Sequence, residues 1–158
     1  MDTTNNSSRK DLMRQFYDSF NSGNFNEFDK FMTSDIIEHN PDPFIKSDKK
    51  GAEYVKEVTQ TYKQAFPDLK MEPDYIVEEG DKLIAHLKIT GTHTGNLGDI
   101  PPTNKKINVE AFDMVCFKDD KASEHWQVFD TFGLMNQLGL AGNNQPGQPD
   151  ANPSRGNV

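Results

Sequence analysis

A change of hydrophobic period at Pro67 constrains this chain more than any other feature. Before it, apolar residues recur at helical spacing; after it, they alternate with period two through four consecutive segments separated only by turns. Strands that follow one another without intervening helices pair antiparallel, because a parallel pair needs a long crossover. The pattern predicts an α+β domain in which N-terminal helices pack against a curved antiparallel sheet and leave a pocket for a small organic molecule. A chain of 158 residues has the length of one such domain.

The helical half begins at Ser8, which with Asp11 reads as a capping box, and carries Leu12, Met13, Phe16, Tyr17 and Phe20 to a stop at Gly23. Asn24 with Glu27 opens a short second helix, Asp35 to Glu38 reads as a brief strand, and a third helix runs from about Asp48 to Pro67. Beyond Pro67 the expected inner face holds Leu69, Met71, Tyr75 and Val77, then Leu83, Ala85, Leu87 and Ile89 after a Gly80-Asp81 turn. Strands from Ile107 to Phe117 and from Ala122 to Phe129 follow, and Thr131 to Leu140 closes as a short helix. The domain is expected over residues 8–141. Residues 1–7 and the Asn-, Gln-, Pro- and Gly-rich segment 142–158 bury too little to repay ordering and are expected to be disordered.

A net charge of −8 denies the chain the cationic footprint that nucleic acid requires. A single cysteine, no signal-like N-terminus and no long apolar run predict a cytoplasmic protein without a membrane span. Cys116 falls inside an apolar strand pattern, as a small buried hydrophobe or a reactive thiol.

The strand Ile107 to Phe117 carries the sharpest chemical signal. Ile107, Val109, Ala111, Val115 and Phe117 share a face on which Asp113 is the one polar residue. A carboxylate there is costly unless paired, hydrogen-bonded or protonated, so Asp113 is either a pocket acid or a structural acceptor. In the last strand Ser123, His125, Gln127 and Phe129 share one face, and Ala122, Glu124, Trp126, Val128 and Asp130 the other. The first is a polar pocket wall whose imidazole moves protons near neutral pH, or a solvated outer face. Trp126 fills volume and, with Phe16, counts among the aromatics expected to meet a ligand. His93 lies in Gly91-Thr92-His93-Thr94-Gly95 and His39 with Asn40 in a Pro-bounded turn, each at the pocket rim or purely structural. His86 alternates with Lys82 and Lys88 and reads as exposed. No histidine pair has metal-motif spacing, and no Gly-x-Ser-x-Gly or nucleotide-binding glycine pattern occurs.

Phe16-Tyr17, Glu38-His39-Asn40-Pro41, Ala65-Phe66-Pro67-Asp68, Gly91 to Gly95, Ile100-Pro101-Pro102-Thr103 and Glu124-His125-Trp126 with Phe129-Asp130-Thr131 form an ordered set. From Leu12 to Leu140 that set resembles the SnoaL-like polyketide cyclases, within the nuclear transport factor 2-like and ketosteroid isomerase-like group. The resemblance implies a cone-like sheet wrapped on helices, a homodimer, and an intramolecular aldol condensation of a polyketide methyl ester without metal or cofactor. It also implies an acid–base carboxylate directly after the His-Trp pair, where this chain has Gln127. An amide cannot exchange a proton at accessible pH. Asp113 is similar in position to the neutral, oxyanion-binding Asp of the steroid isomerases, whose base would fall near Asn40.

Together these residues predict cofactor-independent proton transfer next to a carbonyl in a small apolar substrate. Asp113 would be the acid, His125 the shuttle, and Gln127, Asn40 and His93 the orienting groups. The alternatives are a noncatalytic binding protein of the same fold, or a hydrolase in which Asp113 and His125 activate water.

Overall fold

Ser8 starts the first helix as its sequence requires. In the computed structural model, which describes residues 8–142, its hydroxyl accepts the Asp11 N–H at 3.2 Å, and α1 runs Arg9–Ser22. Gly23, at φ 73°, ends it, with its N–H on Phe20 and the Asn24 N–H on Ser19. The expected second helix is a 3₁₀ turn, Phe25–Lys30, in which Asn24 makes no side-chain cap. Strand β1 (Met32–Glu38) and helix α2 (Gly51–Ala65) follow. Then come β2 (Lys70–Glu79), β3 (Lys82–Thr92), β4 (Lys106–Lys118), β5 (Lys121–Phe129) and helix α3 (Thr131–Gln137). The segments 1–7 and 143–158, expected to be disordered, lie outside the described residues.

The strands form one curved, unclosed sheet in the order β1-β5-β4-β3-β2. Strands β2 to β5 are the expected antiparallel meander; β1 joins its end parallel to β5, which makes the sheet mixed. Tyr17, Phe20, Phe28, Phe66, Leu83 and Leu87 are almost fully buried and fill the space between helices and sheet. At the β2 edge the Asn21 amide pairs with both the N–H and the C=O of Met71, at 2.8 and 2.9 Å. Lys63 donates to the Asn21 and Leu69 carbonyls at 2.9 and 2.8 Å, tying α2 to both α1 and β2.

Two bulges reverse expected faces. Pro73 pairs with Leu87 and Tyr75 with His86, so Asp74 is the extra residue. Pro73 has no N–H to continue the ladder. Past it the strand flips: Ile76 is buried, while Tyr75 and Val77, expected inside, are 65% and 57% exposed. The row so formed on the outer face covers His86, which is buried and not exposed as its neighbours implied; Tyr75 stacks on it at 5.2 Å and Phe112 tilts over it at 4.9 Å. In β5 the extra residue is Ser123, because Phe117 pairs with Ala122 and Cys116 with Glu124. Its hydroxyl donates to the Cys116 carbonyl at 3.2 Å, and Ala122, expected on the face opposite His125, lines the cavity with it. Cys116 is buried, and burial pushes its thiol pKa up, as befits an inert core thiol.

Helix α2 starts three residues later than its periodicity suggests because Gly51 passes over β1. Its φ is +60°, and a Cβ there would lie 2.2 Å from the Ser34 carbonyl oxygen. Gly51→Ala should therefore lower stability by more than the roughly 1–2 kcal/mol of a left-handed alanine. Gly80→Ala, at φ +62° with open space around it, should lose no more than that amount. Urea midpoints at constant m-value measure both losses.

Candidate active site

Asp113 sits at the middle of β4 on its cavity side, 3% exposed among Val109, Ala111, Val115 and Phe117. Its charge is met from three directions. Tyr17 of α1 donates its hydroxyl to Oδ2 at 2.8 Å. Gln127, directly opposite on β5, donates Nε2 to Oδ1 at 2.8 Å, and His125 Nε2 lies 3.5 Å from the same oxygen. Hydroxyl, amide and imidazole all stand as donors, so both oxygens of Asp113 accept hydrogen bonds within the site.

His125 is held from its other side by Glu38, both of whose oxygens lie 2.9 Å from Nδ1. Burial opposes a charge on the ring, but the hydrogen bonds and negative charges of Asp113 and Glu38 outweigh it and push the pKa up to about 10. The ring is therefore an imidazolium at neutral pH. Tyr17 is pushed well above the usual phenol range by burial and by the Asp113 charge, so it remains a donor.

These five side chains line one wall of a cavity of about 470 Å³ whose other walls are largely apolar, with Phe16, Phe20, Met71, Val115 and Phe129 among them. Asn40 and Tyr54 bring a second polar group, and with them comes Asp42, whose carboxylate is satisfied by the Tyr62 hydroxyl and the Phe44 and Ile45 N–H groups. Three carboxylates and one imidazole line the cavity, and among the described residues no Lys or Arg does.

Of the residues singled out from sequence, Asp113, His125, Gln127, Asn40 and Phe16 meet at this cavity, and His39, Trp126 and His93 lie outside its lining. His39 stacks on Trp126 on the opposite face, with ring centres 3.9 Å apart, and its Nε2 meets Glu124 at 2.8 Å. His93 is buried against Phe66 at 4.8 Å and accepts the Thr103 N–H on Nδ1 at 3.2 Å. Burial lowers its pKa, and it pins the β3–β4 loop as a neutral ring. Sequence reasoning missed Glu38 and Tyr17. Alternation from Ile36 would have carried Glu38 to the inner face, and Tyr17 lies one turn from Phe20 on the buried stripe of α1.

The raised His125 pKa links this wall to stability. Unfolded, the ring titrates near 6.5; folded, near 10. Its ion pairs contribute fully below about pH 6.5, and that contribution is lost as pH rises through 10. Thermal midpoints should fall between pH 7 and 10 in the native protein, and His125→Gln should flatten that fall.

The chain matches known proteins over most of its length. Residues 10–138 match the family model described as SnoaL-like polyketide cyclase. The chain is 27% identical over 139 residues to the aklanonic acid methyl ester cyclase DnrD of Streptomyces peucetius, covering 84% of this chain and 92% of that one. It is 25% identical over 122 residues to the nogalonic acid methyl ester cyclase of Streptomyces nogalater, covering 77% and 90%. Among solved structures, TsrD from Streptomyces laurentii superposes with a TM-score of 0.76 at 26% identity, over 89% of this chain and 98% of that one. A SnoaL-like polyketide cyclase from Agrobacterium tumefaciens shares the fold, with a TM-score of 0.70 at 22% identity over 84% and 98%. A cavity walled by helices and a curved sheet, with its carboxylate and imidazole on adjacent strands, thus sits in a chain that belongs to the SnoaL-like polyketide cyclase family.

Proposed function

We propose that the chain closes a ring in a small, uncharged, carbonyl-rich polyketide by intramolecular aldol condensation, with Asp113 as base and His125 as acid. The observation that carries this reading is the Glu38–His125–Asp113 chain, half-buried at Glu38 and His125 and buried at Asp113, on one wall of a largely apolar cavity. Asp113 takes a proton from the carbon next to a carbonyl. The enolate carbon bonds to a second carbonyl carbon, whose oxygen becomes an alkoxide and takes the His125 Nε2 proton. Asp113 then returns its proton to His125 across the 3.5 Å between them, and the pair is restored. The imidazolium stabilises the developing oxyanion in surroundings that exclude water. Three carboxylates in the lining, with no Lys or Arg beside them among the described residues, favour an ester over a free acid.

The amide at Gln127 supports this assignment by donating to Asp113: the carboxylate stands one strand across from where the resemblance places it. With aklanonic acid methyl ester, the substrate in the name of one relative, Asp113→Asn should lower kcat by about 10²–10⁴ and leave binding within severalfold. The reciprocal double variant Asp113→Gln with Gln127→Asp should recover part of that loss. Binding without turnover in the native protein would instead favour a receptor, and release of methanol a hydrolase.

We further propose a homodimer through the open sheet face. Register places Tyr75, His86, Phe112 and Val128 in one row across four strands, and Val77, Ile84, Met114 and Trp126 in the next. Tyr75, Val77, Ile84, Phe112 and Val128 are exposed, a contiguous apolar patch of the kind that marks an interface. No helix among the described residues is long and apolar enough to cross a membrane, and a buried, unpaired Cys116 suits a reducing, cytoplasmic setting. Sedimentation should give twice the chain mass at micromolar concentration, and Phe112→Glu should give the monomer.

A further inference from the structure

The dipeptide Glu-His occurs twice, as Glu38-His39 at the end of β1 and Glu124-His125 in β5. The two strands run parallel, with Ile37 opposite Glu124 and Glu38 opposite His125. Successive side chains take opposite faces of a sheet, so each dipeptide sends one member to the cavity and one to the open face. The pairing is reciprocal. Inside, Glu38 meets His125 Nδ1 at 2.9 Å; outside, Glu124 meets His39 Nε2 at 2.8 Å. Between them the His39 N–H donates to the His125 carbonyl at 3.0 Å, and Trp126 stacks flat on His39.

We propose that the two pairs form one clasp through the sheet, in which His39 and Glu124, outside the cavity, hold Glu38 against His125 within it. Strand β1 is an edge, and its ladder to β5 is interrupted between Met32 and Ile37, so its end is fixed to the sheet only through the short stretch from Ile37 to His39. The clasp supplies that fixing on both faces. Inside, His125 faces Glu38 from β1 and Asp113 from β4, with Tyr17 of α1 reaching it only through Asp113. Outside, His39 faces Glu124 of β5. With Nδ1 committed to Glu38, Nε2 is left to face Asp113 and the cavity. Glu38, His39 and Glu124 are thus positioning residues that act through His125.

Imidazole NMR titration tests the clasp without any turnover. Glu38→Gln should lower the His125 midpoint by about one unit or more, since it removes a charge that favours the imidazolium. His39→Leu is the discriminating variant: it removes no negative charge that favours the imidazolium, so electrostatics alone would raise or leave the His125 midpoint, whereas a loosened Glu38 lowers it. His39→Phe, which keeps a ring on Trp126 and removes the bond to Glu124, provides the same comparison should His39→Leu fold poorly. The expected result is a lowered His125 midpoint in the outer-face variants, accompanied by a kcat loss of about tenfold at unchanged KM. An unchanged or raised midpoint in both outer variants overturns the clasp. The kinetic arm rests on the ring-closing reading; lowered midpoints in a protein that closes no ring would sustain the clasp and remove that reading alone.

Discussion

Asp113 is a negative charge placed inside an apolar core, and the arrangement of its neighbours answers that cost. An unpaired buried carboxylate is penalised by several kcal/mol, so β4 can carry one only where donors converge. They come from different parts of the chain: Tyr17 from the first helix, Gln127 and His125 from the last strand. The imidazolium among them needs further compensation and receives it from Glu38 on β1. Four elements are therefore held in mutual position around one group. Such a site is preorganised because its electrostatics are satisfied before a substrate arrives.

Two single-residue insertions decide what each sheet face presents. The bulge at Asp74 turns Tyr75 and Val77 outward and gives the open face its aromatic row. The bulge at Ser123 sets the face reached by Ala122 at the start of β5, while His125 and Gln127 remain on the cavity side. Faces change sign with a shift of one residue, so single-residue bulges set which side chains each side of the sheet presents.

The legible parts of the sequence were those governed by short-range rules. Ser8 and Gly23 delimit α1 by capping geometry, Pro67 ends the helical half, and Asp113 stands out as a lone polar residue on an alternating apolar face. What alternation alone could not place were positions fixed by distant backbone. Asp74 and Ser123 are extra residues only relative to their partner strands, and Gly51 matters because β1 passes beneath it. His39 and His125 are each preceded by Glu and look equivalent in the sequence, yet strand register sends one to each face. The surroundings of Asp113 were likewise hidden, because Tyr17 lies 96 residues away.

The pairing of Asn21 with Met71 extends beyond the attachment of a helix. A side-chain amide there occupies both hydrogen-bonding groups of an outermost strand residue, two positions before a proline that offers no N–H and three before a bulge. That margin of the sheet is blunted against addition of a further strand. Growth of the sheet by lateral stacking into an open-ended ribbon is discouraged along this border, so this margin offers no template for a fibre.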